Sequence, residues 1–270
     1  MTALTTARPG GRPVMGGVGR DGPAAPAGAA AASTWLAHRL VSVALLSILP
    51  VLVITVDVLA DGPLRHLDGL LAGGSWHRAD APLVQLGHVL DRLGQRAIAG
   101  TVLVVVAAAL AWWRRSWRPL VVTGVALLAL NVVVGALKLG IGRTKPLSGV
   151  DLLYAGGSQF PSGHAANAVV AWGLITYLVL AFGPVLPAPA VRALLALPVV
   201  VTVVMSMASL YLDYHWLTDL VAGAALGLAL LALVLAWDVR RQHAEHGPRD
   251  DEPATTGAAG KVLAPTRPPV

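Results

Sequence analysis

Pro161-Ser162-Gly163-His164 places a small hydroxyl, a glycine and an imidazole immediately before a long apolar run. Pro161 breaks whatever element precedes it, and Gly163 lets backbone amides turn toward a ligand. A helix that starts near Ser162 offers free N–H groups and the positive end of its dipole to an anion. His164 then stands on the first turn, able to give or take a proton near neutral pH. Alone, these residues also fit a turn followed by a capped helix, so the other polar residues of the chain decide. Lys138 falls at the end of an apolar segment, where a charge is costly without a partner or a task. Arg143, Lys145 and Pro146 follow it. His215 and Asp219 lie between two later apolar segments, four residues apart. On a helix beginning near His215 they share a face and hydrogen-bond. A carboxylate on one imidazole nitrogen fixes the tautomer and leaves the other nitrogen basic, which suits a histidine nucleophile.

Taken singly, each residue has a plain alternative. Lys138 reads as a side chain that snorkels to an interface, and His215 as an interfacial residue beside Trp216. Their clustering is what those alternatives leave unexplained. Together they predict a phosphoryl site. His215 attacks, His164 protonates a leaving group, and the cations hold the non-bridging oxygens with the helix start at Ser162 and Gly163. No acidic cluster suited to Mg²⁺ appears, so the expectation is metal-free chemistry without a cofactor.

Such a site needs elements to hold it. The chain has 270 residues, 56% hydrophobic and 13% charged, with a mean hydropathy of +0.68. That composition belongs to a polytopic membrane protein. There is no cysteine, hence no disulfide framework and no thiol chemistry. The net charge of +6 is mostly arginine at segment ends. It reads as anchoring to membrane lipids, and no basic helix interleaved with aromatics argues for nucleic acid. Uncharged cores run over Leu40–Val56, Ala97–Trp113, Pro119–Leu137, Ala165–Val191, Ala193–Leu212 and Leu220–Trp237. Each is near the roughly 20 residues that span a bilayer as helix, and membrane depth excludes open strands. Gly183, Pro184, Pro187 and Pro189 should end the fourth helix early. The small-residue runs Ala165–Ala168 and Ala222–Ala225 suit close helix packing. The fold expected is all-α, a six-helix membrane bundle. Within Asp61–Arg96, leucines at helical spacing (Leu64, Leu67, Leu70, Leu71, then Leu86, Leu90, Leu93) predict two short interfacial helices on the outer surface. His66, His77 and His88 fall there without metal-ligand spacing.

Residues 1–33 and 242–270 are rich in Gly, Ala and Pro and read as disordered tails around a 34–241 membrane domain. Arg39, Arg114, Arg115, Arg118, Arg192, Arg240 and Arg241 place both termini in the cytoplasm and the polar cluster outside.

Three spaced motifs on matching helix ends resemble the type 2 phosphatidic acid phosphatase superfamily, integral-membrane lipid phosphate phosphatases. Its pattern is Lys-x6-Arg-Pro, Pro-Ser-Gly-His, then Ser-Arg-x5-His-x3-Asp. Here the first reads from Lys138 to Lys145-Pro146, the second is intact at Pro161–His164, and the third runs from Ala208-Ser209 to His215 and Asp219. The resemblance implies a phosphohistidine on His215, oriented by Asp219, with His164 as general acid. It also implies phosphate ligands at Lys138, Lys145, Ser162 and Gly163. Two positions depart. Lys145 replaces an arginine, keeping charge but losing the bidentate fork, and Arg143 is the expected substitute. Ser209 stands where the third motif has an arginine, which removes a charge worth a few kcal/mol and roughly two decades in rate. The leading reading is a lipid phosphate phosphatase at the outer leaflet. The second is a non-catalytic membrane protein that keeps a phosphate-binding pocket. A transporter is disfavoured because the charges cluster at one surface rather than along a midplane path.

Overall fold

The computed structural model describes residues 27–72 and 81–246. The tails up to residue 26 and beyond residue 246, and His77, lie outside them. Eight α-helices follow one another: α1 (Ala27–Leu59), α2 (Pro63–Ala72), α3 (Ala81–Asp91), α4 (Arg96–Arg114), α5 (Arg118–Ile141), α6 (Gly163–Phe182), α7 (Ala188–Tyr211) and α8 (Leu217–His246). Six of them, α1 and α4 to α8, are long and apolar enough to cross a membrane. Two boundaries differ from expectation. Helix α1 starts at Ala27, inside the stretch read as tail, because Ala29–Ala32 is a run of the best helix former. Helix α8 likewise continues past residue 241 to His246. The fourth segment does stop early. Helix α6 ends at Phe182 with Gly183 as its cap, and α7 resumes after Pro187.

Helices α6 and α8 form the centre. Over the most apolar 18 residues of each, 61% are buried, against 28% in the other four spans. The central core joins Leu103, Val122, Leu130, Val170, Leu174 and Leu178. Small residues set the α6–α8 separation. Ala165, Ala166, Ala168 and Ala222 are fully buried. A Cβ on Gly227 would stand 2.8 Å from the Ala166 carbonyl oxygen, and one on Gly223 would overlap that of Ser162. Close backbone approach of this kind requires glycine.

The helices run up and down, so one end of the bundle gathers the C-termini of α1, α5 and α7 with the N-termini of α4, α6 and α8. The described ends of the chain lie at the opposite end. There Arg118 forks onto Asp238 (2.8 and 2.7 Å), which also accepts from the Tyr177 hydroxyl, tying α5, α6 and α8 together. The short helices α2 and α3 lie at the first end. Their orientation differs from a simple apolar-face-down packing. Leu67 and Leu70 of α2 and Leu83, Leu86 and Val89 of α3 are exposed, whereas Asp68 and Asp91 are buried at 1% and 2% exposure. Leucines outward and aspartates inward is the arrangement expected of helices seated in a lipid interface.

Candidate active site

Ser162 builds the first wall. It caps α6, its hydroxyl oxygen accepting from the Ala165 N–H at 3.3 Å. The first-turn amides of α6 therefore form a positive mouth. Lys138, in the last turn of α5, brings its ammonium there: a Cβ on Gly163 would lie 3.4 Å from Lys138 Nζ. Gly142, in the left-handed region at φ 57°, ends α5 and returns its N–H to the Lys138 carbonyl. The following loop is knitted to the α7–α8 link. Trp216 Nε1 donates to the Thr144 carbonyl (2.8 Å), Leu147 N–H to Asp213 (3.3 Å), and Ser162 N–H to the Asp219 carbonyl (2.9 Å).

His215 and Asp219 do meet, but not across a helical face. Helix α8 begins at Leu217, so His215 precedes the cap. Asp219, at the third helical position, accepts the Trp216 N–H at 3.1 Å, as the acidic member of a capping box does. The same Oδ2 lies 3.5 Å from His215 Nδ1, which leaves Nε2 as the ring nitrogen not directed at Asp219. Both residues are buried. The His164 ring stands edge-on to that of His215 with 5.8 Å between centroids, and its side chain is 32% exposed. Lys138, Ser162, Gly163, His164, His215 and Asp219 thus cluster at one end of the bundle.

Arg143 is placed differently from the phosphate ligand expected of it. It is fully buried, and all five guanidinium N–H groups are spent inside the protein. Nε and one terminal nitrogen fork onto Asp151 (2.9 and 2.7 Å). The others reach Asp219 Oδ1 (2.9 Å), Asp68 Oδ2 (2.8 Å) and the Thr218 hydroxyl (2.7 Å). In this arrangement no donor is left for a phosphate. Its face stacks on Trp216 at 5.0 Å. Lys145 is exposed at the start of the short 3₁₀ turn Pro146–Ser148.

Three carboxylates at this end of the bundle escaped the reading of the sequence. Asp68 accepts the Thr218 N–H (3.0 Å) and its hydroxyl, so α2 is bolted to the start of α8. Burial pushes the Asp68 carboxyl above its ordinary value, and the hydrogen bonds from Thr218 and Arg143 offset that only in part. For Asp151 the balance is reversed. Burial pushes it up, but hydrogen bonds from Arg143 and Arg65 outweigh this and hold it below the usual range. Asp91, at the end of α3, accepts the Ser209 hydroxyl and lies 3.6 Å from His164 Nε2. Arg96, exposed at the start of α4, adds a cation whose charge acts on Lys138. Among the described residues no group of three His, Cys, Asp or Glu is arranged to hold a metal ion.

A sequence model of the PAP2 superfamily matches residues 119–243. Phosphatidylglycerophosphatase B of Bacillus subtilis (strain 168) is 30% identical over 152 residues, covering 55% of this chain and 72% of that protein. The crystal structure of a transmembrane PAP2-type phosphatidylglycerolphosphate phosphatase from Bacillus subtilis aligns with a TM-score of 0.62. It covers 74% of this chain and 96% of that one at 23% identity, a likeness of fold. Motif order, the cluster those motifs build and the six-helix architecture agree with this match: the chain belongs to the PAP2 superfamily, as a multi-pass membrane phosphatase.

Proposed function

We propose that this protein hydrolyses a lipid phosphomonoester or diphosphate at the outer leaflet through a phosphohistidine, without a metal ion. The observation that carries the reading is His215, held through Nδ1 by Asp219, facing His164 in a cluster that also includes Lys138 and the start of α6. In the first step the His215 Nε2 lone pair forms a P–N bond as the P–O bond to the lipid breaks. His164 gives its proton to the departing oxygen. In the second, His164 takes a proton from water, the water oxygen bonds to phosphorus, and the P–N electrons return to His215 as phosphate leaves. Lys138, Lys145, the Ser162 hydroxyl and the Gly163 amide hold the equatorial oxygens. Asp68, Asp151 and Asp219 are each paired with Arg143, which leaves Lys138 and the start of α6 to stabilise the phosphoryl charge.

The cluster lies at the bundle end away from the described termini and from Arg114, Arg115, Arg118, Arg240 and Arg241, which supports an outward-facing site with cytoplasmic termini. A site at the end of a membrane bundle, under short helices with exposed leucines, favours an amphiphile over a soluble sugar phosphate. The Bacillus subtilis relative named above makes phosphatidylglycerophosphate a natural member of the panel, with phosphatidic acid and polyprenyl phosphates. The test is phosphate release from these lipids by detergent-solubilised protein in EDTA, with His215→Ala as control. Release by the wild type alone is expected. A folded wild type that binds vanadate yet releases nothing from any of them would overturn the reading. Ser209, which removes the third motif's charge, would then favour a non-catalytic lipid-phosphate-binding protein.

A further inference from the structure

Resting on the phosphatase reading above, we infer that Asp91 is a positioning residue for His164, and that Ser209 has exchanged the third motif's arginine for a clamp on that carboxylate. Ser209 is fully buried in the last turn of α7. Its hydroxyl donates to Asp91 Oδ1, and the other carboxylate oxygen stands 3.6 Å from His164 Nε2. Asp91 is 2% exposed, so its charge acts across a poorly screened gap.

The backbone holds it there. Trp172 of α6 donates to the Leu93 carbonyl at 3.0 Å. Gly94 presses on the start of α6, where a Cβ would stand 2.7 Å from the His164 carbonyl oxygen and 3.0 Å from Met205 Sδ. The end of α3 is thereby clamped to the first turn of α6, and Asp91 travels with it.

The chemistry follows from which nitrogen is held. With Nε2–H directed at Asp91, Nδ1 is the nitrogen that gives its proton to the leaving oxygen. After that transfer the other proton remains on Nε2, directed at the carboxylate, and Nδ1 presents the lone pair that accepts a proton from water in the second step. A carboxylate on one imidazole nitrogen fixes the tautomer in this way. The charged groups facing His164 are Asp91 from α3, Lys138 from α5 and His215 from the α7–α8 link. Ser209 on α7 is neutral. Asp91 is therefore the one group among them that favours the protonated, acid-competent ring, and the alkaline side of the activity profile depends on it.

The experiment compares wild type, Asp91→Asn and Asp91→Glu. Asn keeps the shape and an acceptor for Ser209 while removing the charge; Glu keeps the charge. Histidine-labelled protein is titrated by NMR to follow His164 independently of turnover, and kcat is measured against pH on an alkyl phosphate lipid and on p-nitrophenyl phosphate. In Asp91→Asn, His164 should lose its proton about one pH unit or more earlier, and the alkaline limb of kcat should retreat with it. The loss should be about tenfold or more on the alkyl ester, which needs an acid, and small on the aryl ester, which does not. Asp91→Glu should restore the limb. An unmoved His164 titration overturns the inference, as does an equal loss on both esters. Absence of turnover in the wild type would instead count against the phosphatase reading, while the NMR titration would still decide the role of Asp91.

Discussion

Replacing Arg143 by lysine separates a positioning role from a phosphate-binding one. Arginine makes five hydrogen bonds here, to Asp151 twice and to Asp219, Asp68 and Thr218. Lysine has three N–H donors on a single nitrogen, so at least two of the five acceptors lose their partner. Hydrogen bonds to charged groups contribute about 1.5–3 kcal/mol each, which sets the expected loss at about 3–6 kcal/mol. The deficit cannot be made up by water, because Arg143, Asp68 and Asp219 are buried to within 1%. Asp219, released on its Oδ1 side, then holds His215 less firmly, and kcat should fall about a hundredfold, as expected for a catalytic group misplaced by about 1 Å. The assays are thermal unfolding in detergent, vanadate affinity and lipid phosphate turnover. The expected outcome for Arg143→Lys is a Tm lowered by about 8 °C or more, a depressed kcat, and vanadate affinity within about threefold of wild type in the folded fraction, because every donor is engaged inside the protein. A Tm shift under 2 °C together with about tenfold weaker vanadate binding would refute this reasoning and return Arg143 to the phosphate.

Further expectations concern the same end of the bundle. Ser209→Arg should gain less than about tenfold in turnover, because the new guanidinium meets Asp91 before it meets phosphate; a gain of about a hundredfold would show that the arginine acts on substrate as the charge alone predicts. Gly223→Ala sets a methyl against the Ser162 carbonyl and should lower stability by about 1–3 kcal/mol with a matching loss of activity, while unchanged unfolding would contradict the α6–α8 contact. Asp151 has a folded-state pKa below its ordinary 3.8, so its contribution is fully present above about that pH and is lost as pH falls through the lower folded value. Asp151→Asn should accordingly be less stable than wild type at pH 7 and converge with it as pH falls through the folded value of Asp151 in denaturant titrations; a gap that stays constant as the pH falls would contradict the ion pairing.

Much of the architecture was legible because it depends on composition along the chain. Six apolar segments, the Gly183-to-Pro189 break and the three spaced motifs are local properties, and each reappears as a helix, a link or a part of the cluster. The carboxylates were harder. Asp68 and Asp91 sit in short helices read from their leucines as interfacial, and that reading assigned no partner to the aspartates on the opposite face. The available signal was register. Leu64 and Asp68 are four apart, as are Gly87 and Asp91, and each pair shares the inward face of its helix. Arg143 was legible as a needed cation and not as a buried hub, because its partners come from three separate stretches at positions 68, 151 and 218–219. Ser209 was visible as a departure from the motif, whereas its acceptor, 118 residues earlier in the chain, was not.

The inverted faces of α2 and α3 have a consequence for how the protein meets its surroundings. An α-helix is about 10 Å across, so Leu67 and Leu70 on one side of α2, and Leu83, Leu86 and Val89 on one side of α3, stand one helix diameter from Asp68 and Asp91 on the other. Acyl chains that press on those leucines push on the same rigid bodies that hold the Arg143 network and the His164 ring. A displacement too small to alter the fold alters the alignment of the reacting groups. Lateral pressure and acyl composition are thereby coupled, through α2 and α3, to the geometry of the Arg143 network and the His164 ring.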